Sequence, residues 1–221
     1  MSKYTKFLLR VNFKSLIFNL KYLPFKQAIK LPFLISRKVY LMKTKGEISI
    51  ESPIKTGMIK IGYGEVGIFD KKKSRSIWQV SGKVIFKGSA NIGHGSKISV
   101  GQNATLEIGD NFNMTAESSI VCQKHIEFGN NCLVSWECLI MDTDFHKILD
   151  EDKKIINNPE PIIIGDKVWI GCRNLILKGS KISNNSIIGA NSMVSKDISQ
   201  NSGLFVGNPI QLKKENVTWE L

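Results

Sequence analysis

The segment Asp142-Thr143-Asp144-Phe145-His146 places two carboxylates four and two residues ahead of an imidazole, and neither His94 nor His125 has acids at those spacings. A histidine with a pKa near ~6.5 accepts a proton from an alcohol at neutral pH and passes it to a leaving group, and a carboxylate that fixes its tautomer improves it as a general base. The chemistry offered is therefore proton abstraction by His146, with Asp142 and Asp144 as candidate orienters. Two metal readings compete. His94, His125 and His146 lack the paired H-x4-H spacing of a metal hydratase, and Asp142-Thr143-Asp144 as an ion clamp on a nucleotide sugar lacks the α/β pattern such sites need. No metal is expected.

These residues stand in an interruption. From Ile164 the chain divides into IGDKVW, IGCRNL, ILKGSK, ISNNSI, IGANSM and VSKDIS, so that Ile164, Ile170, Ile176, Ile182, Ile188 and Val194 each head a hexad. Upstream the phrase recurs as FKGSAN, IGHGSK, IGDNFN, MTAESS, FGNNCL and VSWECL, with two-residue shifts before Leu106 and Phe128 that read as small bulges or turns. A period of six is neither the 3.6 of a helix nor the alternation of a one-faced strand. It fits a short strand and a turn, with the head and the fifth residue turned inward and residues such as Asp166, Asn184 and Asn185 turned to water. Three units would close a triangular coil of about 18 residues, and stacked coils bury a column of aliphatic side chains, each contributing about 1.5–3 kcal/mol over exposure. Residues 142–161 keep neither slot, and loops of that length inside a compact domain are usually functional or disordered. Four cysteines show no C-x-x-C pair and no zinc spacing, which fits a reducing compartment; Cys132 and Cys138 fall in the fifth slot, as core filler.

The hexads, over about residues 45–215, resemble the hexapeptide-repeat acyltransferases. D-x-D-x-H, the long loop, PIIIGDKVWIG at 161–171 and FVGNP at 205–209, in that order, resemble the sugar O-acetyltransferases of that family, including those that modify capsular or lipopolysaccharide sugars. The resemblance implies an all-β fold, a left-handed parallel β-helix, assembled as a homotrimer. It also implies transfer of an acetyl group from acetyl-CoA to a sugar hydroxyl, with His146 as base; the basic, aromatic N-terminal segment points to an acceptor on a surface-polysaccharide precursor. Positions matching the family's acetyl-CoA contacts are Trp169, Cys172, Ala190, Ser195, Lys196, Asn208, Pro209 and Lys214. Departures from the pattern are Cys172 for a more frequent Ser, Ala or Gly, Asn191 for Gly, and Gln211 where a cation often stands, with Lys213 and Lys214 as substitutes. A catalytically inactive β-helix scaffold and a metal-dependent hydratase on the same fold are the alternatives.

The expected organisation is a basic segment over 1–44, the β-helix over 45–212 with its excursion at 142–161, and a tail over 213–221. The first 45 residues carry eleven basic residues and no acid, nearly all of the net charge of +12. Aromatics interleave with them: Tyr4, Phe7, Phe13, Phe18, Tyr22, Phe25, Phe33 and Tyr40. Phe13, Leu16, Ile17 and Leu20 follow helical spacing and predict a short amphipathic helix ending near Pro24. Two readings stand side by side: residues 1–40 as a peripheral membrane anchor, or a helix packed through its apolar stripe on the protein's own body or a partner subunit. No apolar run reaches the ~18 residues of a membrane span, and lysines interrupt any signal-peptide core. No nucleic-acid motif accompanies the charge, so no nucleic-acid partner is expected. The expected location is cytoplasmic, extending to the inner face of the membrane.

Overall fold

The computed structural model describes residues 12–199 and 202–220; Tyr4 and Phe7 lie outside them. Short strands go in turn to three faces, which hold nine, seven and seven strands among the described residues. Each strand pairs in parallel with the strands one coil above and below, apart from a final antiparallel pair. Ile92, Met114, Val134, Ile170 and Ile188 stack in register on face one. Ile98, Ile120, Ile140, Ile176 and Val194 stack on face two, and Ile108, Phe128, Ile164 and Ile182 on face three. All of these hexad heads are buried. The architecture is the expected left-handed parallel β-helix.

Most fifth slots behave as the period requires: Ser96, Ser118, Cys132, Cys138, Val168, Asn174, Ser180, Ser186 and Ser192 are buried at the corners, and Ala90 and Phe112 at the first position of a strand, while Ile198 is half-buried. Polar occupants there serve the backbone. Asn174 donates to Gly171 O at 2.8 Å and accepts from Ser192 N at 2.7 Å, which satisfies groups that a corner would otherwise leave bare. The expected water-facing residues stack too: Asn130 N donates to Asp166 Oδ1 at 2.6 Å, and Asp166 N to Asn184 Oδ1 at 2.7 Å. Asn191 takes φ +55, the left-handed conformation it tolerates in place of Gly.

Three expectations are corrected. Ile170 pairs with Ile188, 18 residues on, but Ile92 pairs with Met114, 22 residues on. The two-residue shifts are therefore not bulges: Leu106 with Ile108, and Ile126 with Phe128, point inward from one longer strand each. Second, the coils begin at the strand Phe33–Ile35, within the segment assigned to the N-terminal appendage; Val39–Thr44 and Glu47–Ile50 complete the first coil.

The third concerns helix α1, Phe13–Tyr22, which ends at Leu23 before Pro24 and leads into the single turn α2, Phe25–Ala28. It does lie on the protein's own body, yet its buried residues are Ser15, Phe18 and Asn19, while Phe13 of the apolar stripe is 76% exposed and Leu16, Ile17 and Leu20 also face outward. The reason is the open edge of the first coil. Phe33–Ile35 has no strand above it, and its backbone groups need partners. Asn19 accepts from Phe33 N at 3.0 Å and donates to Phe33 O at 2.8 Å; Ser15 Oγ accepts from Ile35 N at 2.8 Å, and Asn12 Nδ2 donates to Ile35 O at 2.8 Å. Phe18 fills the space beneath, against Tyr22, Phe33 and Trp78. At the other end, Gln211–Glu215 pairs antiparallel with Gly203–Val206 and covers that edge. Among the described residues no helix is long and apolar enough to cross a membrane.

Candidate active site

The long excursion leaves the stack after Leu139–Met141, at the corner between faces two and three, and returns at Ile162–Ile164. It is a twisted hairpin, with Leu149 bridged antiparallel to Ile155 and Ile156 N donating to Ile148 O at 3.0 Å. Asp142 anchors its base. The side chain is fully buried; Oδ1 accepts from Gln123 N at 2.6 Å, and Oδ2 from Lys124 N and His125 N at 2.8 Å each. These N–H groups belong to the corner of the preceding coil, where the chain's departure leaves them without backbone acceptors. The Cys122 thiol lies 3.6 Å from Oδ2, and burial together with this carboxylate pushes its pKa far up.

Asp144 is exposed and is held from two sides. Its Oδ2 accepts from Lys178 Nζ at 2.6 Å and Asn157 Nδ2 at 2.9 Å, bonds that hold its carboxyl below the usual range. Its carbonyl accepts from His146 N at 2.7 Å, while Asn157 Nδ2 donates to His146 O at 2.8 Å and Asn157 Oδ1 accepts from Ile148 N at 2.6 Å. The backbone of His146 is thus clamped on both sides and its ring is exposed. Phe145 turns the chain there with φ +60, an uncommon conformation for a bulky residue, steadied by its N–H donating to Thr143 Oγ1 at 3.0 Å. Among the described residues, neither aspartate hydrogen-bonds the His146 ring. Both carboxylates, expected beside the imidazole, are engaged elsewhere in the single chain.

The residues matched to acetyl-CoA contacts fall on both sides of face two. Cys172 and Ala190 occupy the corner between faces one and two on successive coils, where Asn191 N donates to Cys172 O at 2.9 Å. Asn208 and Pro209 follow Gly203–Val206 at the end of that corner, and Gly207 N donates to Ser192 Oγ at 2.9 Å. Ser195 and Lys196 lie at the corner between faces two and three, the edge from which the excursion departs. Lys214 is exposed on the outer antiparallel strand. Trp169 lies half-buried on face one; its Nε1 donates to Ser135 Oγ at 3.1 Å, and its ring sits 6.1 Å from that of Trp219. The sequence reading missed Asn157 and Lys178, whose signals were a polar run before Pro159 and a lysine in an ordinary hexad slot. The three histidines stay apart, and among the described residues no group of three His, Cys, Asp or Glu side chains is placed to hold a metal.

No family model matches the chain. It is 38% identical over 126 residues to the galactoside O-acetyltransferase of Escherichia coli strain K12, across 55% of the chain and 56% of that enzyme. It is 33% identical over 108 residues to the galactoside O-acetyltransferase of Lactococcus lactis, across 48% of each. In sequence the chain is similar to these O-acetyltransferases over about half its length. It spans about half the length of the curated relatives it matches. Among solved members of this fold, a polysialic acid O-acetyltransferase superposes over 86% of the chain and 90% of its own length, with a TM-score of 0.50 at 22% identity.

Proposed function

We propose that this chain is an O-acetyltransferase that moves the acetyl group of acetyl-CoA to a sugar hydroxyl, with His146 as general base. The observation that carries the reading is an exposed imidazole whose own backbone is clamped by Asp144 and Asn157 within the longest excursion from the β-helix. The ring takes the hydroxyl proton as the oxygen attacks the thioester carbonyl; the tetrahedral intermediate then collapses, and the ring returns the proton to the departing thiolate. Asp142 and Asp144 act as positioning residues through the backbone of the loop. Replacing His146 by Ala is expected to lower turnover roughly 10²–10⁴-fold, followed by mass spectrometry of sugars incubated with acetyl-CoA. Undiminished transfer overturns the base. Absence of transfer by the natural chain to every sugar offered favours the inactive scaffold.

The site is completed by a second copy. In a prism, the corner carrying His146 and the corner carrying Cys172 and Ala190 are separated by face two, so one loop meets such a donor corner on a neighbour rather than its own. Phe145, Ile148, Leu149 and Ile156 of the loop are exposed, with Phe145 at 63%, and clustered exposed apolar side chains mark an interaction surface. A homotrimer closes three such contacts. Light scattering is expected to give three times the 24.8 kDa of one chain; an active monomer contradicts this.

The acceptor belongs to a surface polysaccharide precursor, and residues 1–40 bring the enzyme to the membrane that carries it. Support comes from the outward stripe Phe13, Leu16, Ile17 and Leu20, extended by Phe25 and Ile29, in a segment with no acid before Glu47. Two copies joined through this face would bring like charge together, whereas an anionic bilayer complements it. Because α1 covers the first coil, the test keeps it: Phe13, Ile17 and Leu20 are changed to Ser. Loss of binding to vesicles containing phosphatidylglycerol is expected, with no loss in pure phosphatidylcholine. Unaltered sedimentation with the anionic vesicles removes the anchor.

A further inference from the structure

A second insertion, residues 64–75 with the sequence GEVGIFDKKKSR, draws out the corner between faces one and two in the second coil and folds back along the stack. Lys38 of the first coil reaches up to it, with Nζ donating to Lys71 O at 2.8 Å and to Lys72 O. Ser74 Oγ hydrogen-bonds Glu117 Oε1 on the fourth coil, and Phe69 sets its ring edge against His94 at 6.2 Å between centroids. Beneath this strap lies a cavity of about 420 Å³, bounded in part by Ser36, Lys38, Lys71, Lys72, Ser76 and His94. His94 is 3% exposed, and neither ring nitrogen has a hydrogen-bond partner. Buried polar groups are ordinarily satisfied, so an imidazole with two bare nitrogens on a cavity wall calls for a ligand.

We propose that this cavity binds a phosphate or carboxylate group, held between the His94 ring and the lysines Lys38 and Lys72. The charges favour an anion. Glu65 is matched by Lys71 at 2.8 Å, and Glu117 by Lys97 at 3.3 Å and by Ser74; against the strap's other carboxylate, Asp70, which accepts from Lys72 N at 2.8 Å, stand the cations of Lys38, Lys72, Lys73 and Arg75. The charged groups acting on His94 are Glu117, Lys71 and Glu65; burial, with help from Lys71, keeps the empty ring toward neutrality. An entering anion reverses that balance, so the ring takes up a proton and becomes a donor at both nitrogens. His94, on the cavity's far wall, lies on the corner that carries Cys172 and Ala190 three and four coils further on, about 14–19 Å away at the spacing of paired strands. Resting on the proposed acetyl transfer, the anion is a substituent of the acceptor sugar; the binding itself is independent of that reading.

The test is proton NMR of the full chain, which has three histidines. Their ring signals are assigned with His94→Gln and His146→Ala. Inorganic phosphate, glucose 6-phosphate and glucose are added separately at fixed pH and ionic strength. Phosphate and glucose 6-phosphate are expected to move the His94 signal toward its protonated position while His125 and His146 stay in place, and glucose is expected to move none. Lys72→Ala, an exposed change that leaves the fold intact, is expected to weaken the response about fivefold or more. Tighter binding of glucose 6-phosphate than of phosphate assigns the site to the acceptor; the reverse order assigns it to a free anion. A His94 signal that stays fixed, or three signals that move together, overturns the site, whatever becomes of acetyl transfer.

Discussion

Replacing Asp142 by Ala separates two roles that the sequence cannot tell apart. If the carboxylate oriented the His146 ring, its loss would reduce turnover and leave the fold alone. The structure instead shows three backbone N–H groups, of Gln123, Lys124 and His125, converging on it at 2.6, 2.8 and 2.8 Å. Hydrogen bonds to a charged acceptor contribute about 1.5–3 kcal/mol each, and losing the acceptor leaves the donors bare. Water entering the partly buried corner recovers some of this, so about 3–4 kcal/mol is the expected loss. At about 2–4 °C per kcal/mol for a domain of this size, the thermal midpoint followed by circular dichroism falls by roughly 10 °C. Asp142→Asn keeps an acceptor but turns an amide N–H₂ toward N–H donors, and is expected to lose about half as much. A midpoint within about 2 °C of the natural protein, combined with a collapse of turnover, refutes the anchoring role and restores the orienting one.

Asn19→Ala removes both hydrogen bonds to the open edge at Phe33 and is expected to cost about 2 kcal/mol, whereas Phe13→Ala stays within about 0.5 kcal/mol; urea titrations giving the reverse order contradict the covering role of α1. Burial pushes the Cys132 and Cys138 thiols up to about 11 and Cys122 higher still, while Cys172 is only half-buried. Ellman's reagent at pH 8 should therefore find one fast thiol in the native chain, and a second fast thiol refutes the burial of the other three. Asp144 has its folded pKa lowered by Lys178 and Asn157, so its clamp holds above the unfolded value of about 3.9 and is lost as pH falls through the lower folded value. Hydrogen exchange at the His146 and Ile148 amides, corrected for intrinsic rates, should rise below about pH 4 and not between pH 5 and 8. Loosening in that upper range contradicts the clamp.

The β-helix and the excursion that carries His146 are legible in the chain because a hexad repeat is a local property: each buried head and each corner residue is marked by its own neighbours six positions away. The extra pair of residues in the early coils is less clear, since one more inward side chain on a strand looks, in one dimension, like a bulge. Reading α1 fails for a different reason. Helical spacing finds the apolar stripe correctly, but which face turns inward depends on what it covers, and an open strand edge calls for Asn19 and Ser15 ahead of Leu16 and Ile17.

By itself, then, the sequence determined the coil, its inward residues, the breach at 142–161 and the candidate base within it, all written in short-range periodicity and its interruption. Tertiary structure decided the partners of Asp142 and Asp144, the face that α1 buries, and the closing of residues 64–75 over His94. Each of these depends on hydrogen bonds or packing between residues that only the stacking of coils brings together, and no spacing along the chain encodes which donor an acceptor will meet.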